Sequence, residues 1–204
     1  MIIGIVGYPG SGKTYLATSM LLSRKYRGRK LFSNVPVLGA MRVSLDDLVT
    51  CTIPHGSVVL LDEVQGIAPA RSTLHAADMW ASIPYEVYSY FAEGRKYGVD
   101  WLWTCQDGSR ADKVLRELTQ EWIECEFVLG ALHRGTWYGS MMTQTMQMRA
   151  IRRQWFWITR RGYARYDSYY AVLHTPRPGP DHEWHHWTRE DFVSDDVKVK
   201  ANKT

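Results

Sequence analysis

The sequence predicts an α/β protein built on a mainly parallel sheet, and three observations carry that prediction. Short apolar runs alternate with helical segments as far as about residue 130, the pattern of strands joined by crossover helices. The first of those runs leads straight into a glycine-rich turn and then a helix. After residue 130 the chain becomes rich in Trp, Tyr and Arg, which reads as antiparallel strands added to the sheet edge or as a small arm.

Each element follows from a local signal. Residues 2–6 (IIGIV) form a short continuous apolar run rich in β-branched residues, as expected of a buried parallel strand. A helix over residues 13–25 sets Leu16, Met20 and Leu21 on one side. A second strand spans residues 30–35 and is stopped by Pro36. Ser44, with Asp47 three residues on, marks a short helix start. The turn Pro54-His55-Gly56 precedes a third strand, residues 57–61, which ends in Asp62-Glu63. Residues 64–83 show no periodicity and read as a long functional loop. Pro84 opens a helix to about residue 97, closed by Gly98. A fourth strand over residues 99–105 carries Gln106-Asp107 at its tip. A helix over 112–120 and a fifth strand over 122–129 complete the alternation. Gly162 marks a hairpin turn in the Arg-aromatic part. The domain is thus expected over residues 1–175, with a core at 1–130 and an antiparallel extension at 131–175. A polar, then charged tail follows over 176–204, partly disordered at its end.

With 204 residues, 45% hydrophobic and 23% charged, the chain is neither disordered, collagenous nor coiled coil, and it buries a core without disulfides. Cys51, Cys105 and Cys125 cannot all pair and lack the close spacing of a zinc or redox motif, so they read as reduced, mostly buried thiols. No apolar run reaches the ~18 residues of a membrane helix. No positively charged leader is visible, so a soluble, intracellular protein is expected. The net charge of +4 is unevenly distributed. Residues 131–170 hold seven arginines (134, 149, 152, 153, 160, 161, 165), no lysine and a single acid, Asp167. That segment therefore carries +6 and the remainder 4 − 6 = −2.

Gly7-Tyr8-Pro9-Gly10-Ser11-Gly12-Lys13-Thr14 matches the full phosphate-loop pattern G-x-x-x-x-G-K-[ST], between an apolar strand and a helix. Its glycines let successive backbone N–H groups turn toward phosphates, and the helix start adds its positive end. Lys13 is expected to reach the β- and γ-phosphates of ATP and Thr14 to offer its hydroxyl to Mg²⁺. Tyr15 completes the nucleotide-binding set. Asp62, at the tip of an apolar strand, is the second expected Mg²⁺ residue, and Glu63 the general base that polarises the attacking water. Gln106, at another strand tip, is placed to sense the γ-phosphate or orient that water. Asn34 is a weaker candidate at the tip of the second strand. An arginine supplied by a neighbouring subunit is expected to stabilise transition-state charge, with Arg71 and Arg95 as candidates.

Arg149, Arg152, Arg153, Arg160, Arg161 and Arg165, interleaved with Trp155, Trp157, Tyr163 and Tyr166, suit nucleic acid: guanidinium pairs with phosphate and aromatics stack on bases. The alternative is a strand pair with arginines outward, Trp and Tyr packed inward, and no partner. His182, His185 and His186 lack the carboxylate and cysteine support of a metal site.

Taken together, the phosphate loop, Phe32-Ser33-Asn34-Val35, the apolar run into Asp62-Glu63, residues 90–100 (YFAEGRKYGVD), Gln106 and Tyr166-Asp167-Ser168-Tyr169 resemble the Zot-like P-loop ATPases. These are viral assembly and packaging motors near the FtsK/HerA superfamily. The resemblance spans roughly residues 1–172. It implies a three-layer P-loop sandwich of the additional-strand (ASCE) type, in which the Gln106 strand lies between the phosphate-loop strand and the Asp62 strand. One branch of the family extrudes filamentous phage and carries a membrane anchor after the ATPase domain. The other packages double-stranded DNA into a preformed capsid as a hexameric ring. The absence of an anchor here favours packaging, in the host cytoplasm or at the packaging vertex of the virion, with capsid, portal-vertex or membrane proteins as partners. A nucleotide-dependent switch or scaffold that hydrolyses little is the alternative of another class. A nucleotide kinase is disfavoured, because the arginines sit in an aromatic strand-like segment rather than in a lid.

Overall fold

The computed structural model describes residues 1–44, 47–48, 50, 52–66, 85–139, 150–167 and 184–192. Among the described residues eight strands form one sheet: β1 (Ile2–Val6), β2 (Leu31–Ser33), β3 (Met41–Arg42), β4 (Val58–Leu61), β5 (Asp100–Cys105), β6 (Glu121–Leu129), β7 (Leu132–Gly139) and β8 (Ala150–Trp157). Their order is β3-β2-β4-β5-β1-β6-β7-β8. All pairings from β3 to β6 are parallel, and β6–β7–β8 is antiparallel. β5 therefore lies between the phosphate-loop strand β1 and the Asp62 strand β4, as the resemblance implied.

Among the described residues the α-helices are α1 (Lys13–Leu21), α2 (Tyr85–Tyr97), α3 (Lys113–Leu118) and the single turn α4 (Arg160–Tyr163). Strand side chains alternate between the two faces, and the core divides accordingly. Ile3, Ile5, Leu60, Leu102 and Ile123 meet Leu16, Ala17 and Leu21 of α1 on one face. Phe32, Val59, Trp101, Trp103 and Trp122 meet Val87, Tyr90 and Phe91 of α2 and Leu115 of α3 on the other. The result is three layers. Gly4 of β1 has no side chain because Trp103 of β5 fills that space: a Cβ there would lie 2.6 Å from the indole. α3 starts where Asp112 accepts the Val114 N–H at 2.7 Å. Among the described residues no helix is long and apolar enough to cross a membrane.

Several expectations need correction. β3 was not foreseen: two residues are too short for a periodicity signal, and only pairing beside β2 defines them. Gly162 is not at a hairpin turn but inside α4, where a Cβ would lie 2.5 Å from the Tyr15 hydroxyl. The hairpin turns at Gly130, between β6 and β7. Residues 184–192, read as part of a tail, pack on the β2–β3 edge. Trp184 meets Phe32 edge-on at 4.6 Å, and the buried Trp187 donates its indole N–H to the Ser33 carbonyl at 3.0 Å. Those indoles bury more apolar surface than the surrounding polar composition suggested. Cys105 and Cys125 are buried and free, and Cys51 lies outside the described residues.

Candidate nucleotide-phosphate site

The site forms at the carboxyl ends of β1, β4 and β5, where sheet topology brings three loops together. β1 ends at Val6 and the chain turns at Gly7 with φ +150°. A Cβ on Gly7 would lie 2.3 Å from the Cys125 carbonyl oxygen of β6 and 2.7 Å from Ser11 Oγ. Glycine is therefore required by space as well as by φ. Gly12, the N-cap of α1, sits in the left-handed region at φ +88°. The Ser11 N–H donates to the Tyr8 carbonyl at 3.0 Å, closing the loop. Lys13 is 5% exposed and donates its Nζ proton to the same carbonyl at 3.2 Å, so its ammonium arches over the loop. A ring of backbone N–H groups at a helix start, under a lysine, is an anion cradle.

Thr14 faces the tip of β4. Its hydroxyl donates to Asp62 Oδ1 at 3.1 Å, and Thr104 of β5 donates to the same oxygen at 2.6 Å. Asp62 is 3% exposed. Burial pushes its carboxyl up to about 6; the Thr104 hydroxyl only partly offsets this, and the neighbouring Glu63 charge adds to it. A hydroxyl and a buried carboxylate side by side are the oxygen donors that a hard divalent cation takes. Asn34 grips the same corner from β2: its amide donates to the Asp62 carbonyl at 2.9 Å and accepts the Asp62 N–H at 2.7 Å. Both ends of that amide are thus used to hold the strand tip, which makes Asn34 a clamp on Asp62.

Glu63 is the one non-glycine residue at positive φ (+51°) among those described, a conformation that costs about 1 kcal/mol or more. The Thr104 hydroxyl accepts its N–H at 2.9 Å, and Gln65 donates to its carboxylate. Thr104 thus ties Asp62 and Glu63 to β5 at once. The sequence reading missed it, although a lone hydroxyl in the buried run DWLWTC was the available signal. Gln106 follows directly on β5 and borders a cleft of about 590 Å³ with Gly7, Tyr8 and Phe127. The structure thus brings Lys13, Thr14, Asp62 and Glu63 to one sheet edge, with Gln106 on a cleft beside the loop. Arg71 and Arg149 lie outside the described residues; Arg95 falls on α2, but its side chain also lies outside them.

His133 of β7 is a second residue that sequence reasoning missed, and 122 positions of separation left no signal for it. It is 3% exposed, and its Nδ1 lies 3.0 Å from the Ser11 carbonyl, which accepts. Phe156 of β8 stacks on its ring at 5.6 Å and also stacks on Tyr15 at 6.2 Å. The antiparallel extension therefore buttresses the phosphate loop. His133→Phe keeps the aromatic stack and loses the hydrogen bond. A net bond of about 1 kcal/mol predicts an affinity for ATP about 5-fold weaker. His133→Asn, whose amide reaches the Nδ1 position, should recover most of it. Calorimetric titration checks this, and equal affinities in all three proteins would discount the bond.

The arginines do not share one face. β8 pairs Arg152 with Trp137 and Arg153 with Thr136. Arg152 stacks over Trp137 at 4.4 Å and, with Gln154 and Phe156, lies on the α1 face. Arg153 and Trp155 alternate to the opposite face, where Arg134 lies over Trp155. The inward-packed alternative fails for three of the four aromatics, since Trp155 is 54%, Trp157 62% and Tyr163 42% exposed, while Tyr166 is buried. Arg160, Arg161 and Arg165 lie beyond the strand, in or just after α4, and are exposed.

A strand, a phosphate loop and a helix, with an acid-tipped strand one position removed in the sheet, define a P-loop nucleotide-binding protein. The chain belongs to the zonular occludens toxin (Zot) family, whose model matches residues 40–170, more than half of it. That span begins after the phosphate loop, so the loop and the family match are separate observations. Among solved structures, the N-terminal domain of zonular occludens toxin from Neisseria meningitidis is similar at 20% identity, with a TM-score of 0.61. The similarity covers 81% of this chain and 98% of that one. The genome packaging NTPase B204 of Sulfolobus turreted icosahedral virus 2, in complex with ATP-gammaS, matches at 11% identity and a TM-score of 0.47. That match covers 73% of this chain and 95% of the other. No curated protein matches by sequence.

Proposed function

We propose that this chain is an ATP-hydrolysing motor that translocates viral double-stranded DNA into a preformed capsid. The observation that carries the reading is the meeting of Thr14, Asp62 and Glu63 beside the phosphate loop. Lys13 and the loop N–H groups bind the phosphates. Thr14 and Asp62 would hold Mg²⁺, which supplies neutralisation of phosphate charge when bound. Glu63 takes a proton from the attacking water, and Gln106 orients it. The arginine-rich extension supports DNA as the cargo, because a motor that ignores sequence grips phosphates. Capsid, portal-vertex or membrane proteins are the proposed docking partners, and the host cytoplasm or packaging vertex the place of action. Membership of the Zot family favours a second reading, extrusion of a filamentous phage. A switch or scaffold would show nucleotide binding with negligible turnover. The deciding experiment is ATP turnover with and without double-stranded DNA, alongside mass in solution. A monomer that ignores DNA would refute the motor.

The motor is further proposed to be a homo-oligomeric ring, a hexamer, whose site is completed in trans by Arg71 or Arg95. Mixing Arg71→Ala or Arg95→Ala protein with Lys13→Ala protein should then restore part of the turnover that each lacks alone. In a mixed ring, some interfaces keep both parts. No recovery at any ratio, with mixed rings demonstrated, would exclude both arginines.

A further inference from the structure

We propose that the cleft between α1 and α4 seats a phosphodiester group of the DNA backbone. This deepens the motor reading and rests on it. The cleft measures about 440 Å³ and is lined by Thr18 and Ser19 of α1, Thr159, and Arg161 and Arg165 around α4. None of its lining residues is acidic, and among the described residues neither guanidinium has a carboxylate partner. Two unneutralised cations sharing one cleft repel each other, and an anion between them reverses that sign.

A second observation points the same way. Thr18 is 3% exposed, borders the cleft, and its hydroxyl has no hydrogen-bond partner among the described residues. A buried hydroxyl left unmatched is costly, and with a small shift of the cleft wall a phosphoryl oxygen would accept from it. Two planar guanidinium forks with hydroxyl donors match the oxygens of a phosphate better than those of a carboxylate alone.

The surroundings favour a polymer over a free ion. Ser19 also borders a second cleft, of about 490 Å³, on the other flank of α1, where Arg152, Lys25 and Gln154 line the wall together with Glu121. Cationic side chains on both flanks of α1, whose Ser19 is exposed between them, suit successive phosphates along a strand. The proposal therefore selects the α1 face of the extension for DNA, not the face that carries Arg153 and Trp155. It also sets the seat beside the phosphate loop: Tyr15, the residue after Thr14, lines the cleft and accepts the Thr159 N–H at 3.4 Å.

The test compares binding of the full chain to a duplex oligonucleotide across a range of salt. Arg161→Ala with Arg165→Ala should weaken binding and flatten the dependence of log affinity on log salt by about 0.9, the loss of one phosphate contact. Arg161→Lys with Arg165→Lys, which keeps charge but not the fork, should fall between. Thr18→Val, of the same shape, should weaken binding severalfold with an unchanged slope. Arg153→Ala with Trp155→Ala on the opposite face should bind as the wild type does. Thermal melting confirms that each variant is folded. Wild-type affinity and slope in the Arg161/Arg165 alanine variant, with loss in the Arg153/Trp155 variant, would overturn the seat and leave the motor reading standing. A wild-type chain that binds no duplex overturns the DNA reading itself. If that chain still binds inorganic phosphate, and the Arg161/Arg165 variant does not, the occupant is a free phosphate and the proposal fails as stated.

Discussion

Glu63→Gln is expected to bind ATP with wild-type affinity and to lose hydrolysis by about 10²–10⁴-fold, the usual cost of removing a positioned base. The substitution is isosteric, and the surroundings of the side chain tolerate it. Gln65 donates to the Glu63 carboxylate, and the amide oxygen of the variant can still accept. The Glu63 N–H bond to Thr104 belongs to the backbone and survives. The positive φ burdens either residue alike. What disappears is the proton acceptor and one negative charge. Since the Glu63 charge helps to raise the Asp62 carboxyl, Asp62 should ionise at lower pH in the variant. Lys13→Ala should behave differently, weakening phosphate binding itself. Turnover and nucleotide titration separate the two, and near wild-type turnover in Glu63→Gln would remove Glu63 from the base role.

Gly7→Ala should weaken nucleotide binding by about 10²-fold or more without touching a charged residue. The added methyl would sit 2.3 Å from the Cys125 carbonyl oxygen, which belongs to β6. Parallel pairing of β6 with β1, Val6 opposite Glu124, fixes that carbonyl next to the loop. A flexible side chain such as Ser11 can yield, but a sheet carbonyl cannot without breaking the ladder. Overpacking of this kind costs about 3 kcal/mol, enough for roughly a 10²-fold loss of affinity, and the φ of +150° adds to it. Calorimetric titration together with a melting curve measures both parts. A variant that binds ATP normally would show that the loop has another arrangement in solution.

The phosphate loop, the acid pair at residues 62–63 and the strand–helix alternation were legible because their signals are local. A buried parallel strand must be apolar, an anion cradle needs glycines at set spacing, and both requirements act over a few residues. The placement of β5 between β1 and β4 came only through resemblance, since strand order depends on crossovers that no short window records. Asn34 was legible as a strand-tip candidate, but its two bonds to Asp62 were not. Thr104 and His133 looked like ordinary strand residues, yet they hold the acid pair and the loop carbonyl. Such roles arise when backbone pairing carries distant residues to within 3 Å of each other.

The extension shows the same division. Its net charge and aromatic content were evident from composition, but the faces were not. A strand turns each successive side chain to the other side of the sheet, so neighbouring arginines 152 and 153 part company. The class of fold, the phosphate-loop pattern and the concentration of positive charge are legible in contiguous residues. Folding alone reveals that Trp184 and Trp187 close the β2–β3 edge, that the extension buttresses the loop through His133 and Phe156, and that Arg161 and Arg165 share a cleft with Thr18. Those arrangements depend on long-range packing, whose energy comes from surfaces that meet only after the chain has folded.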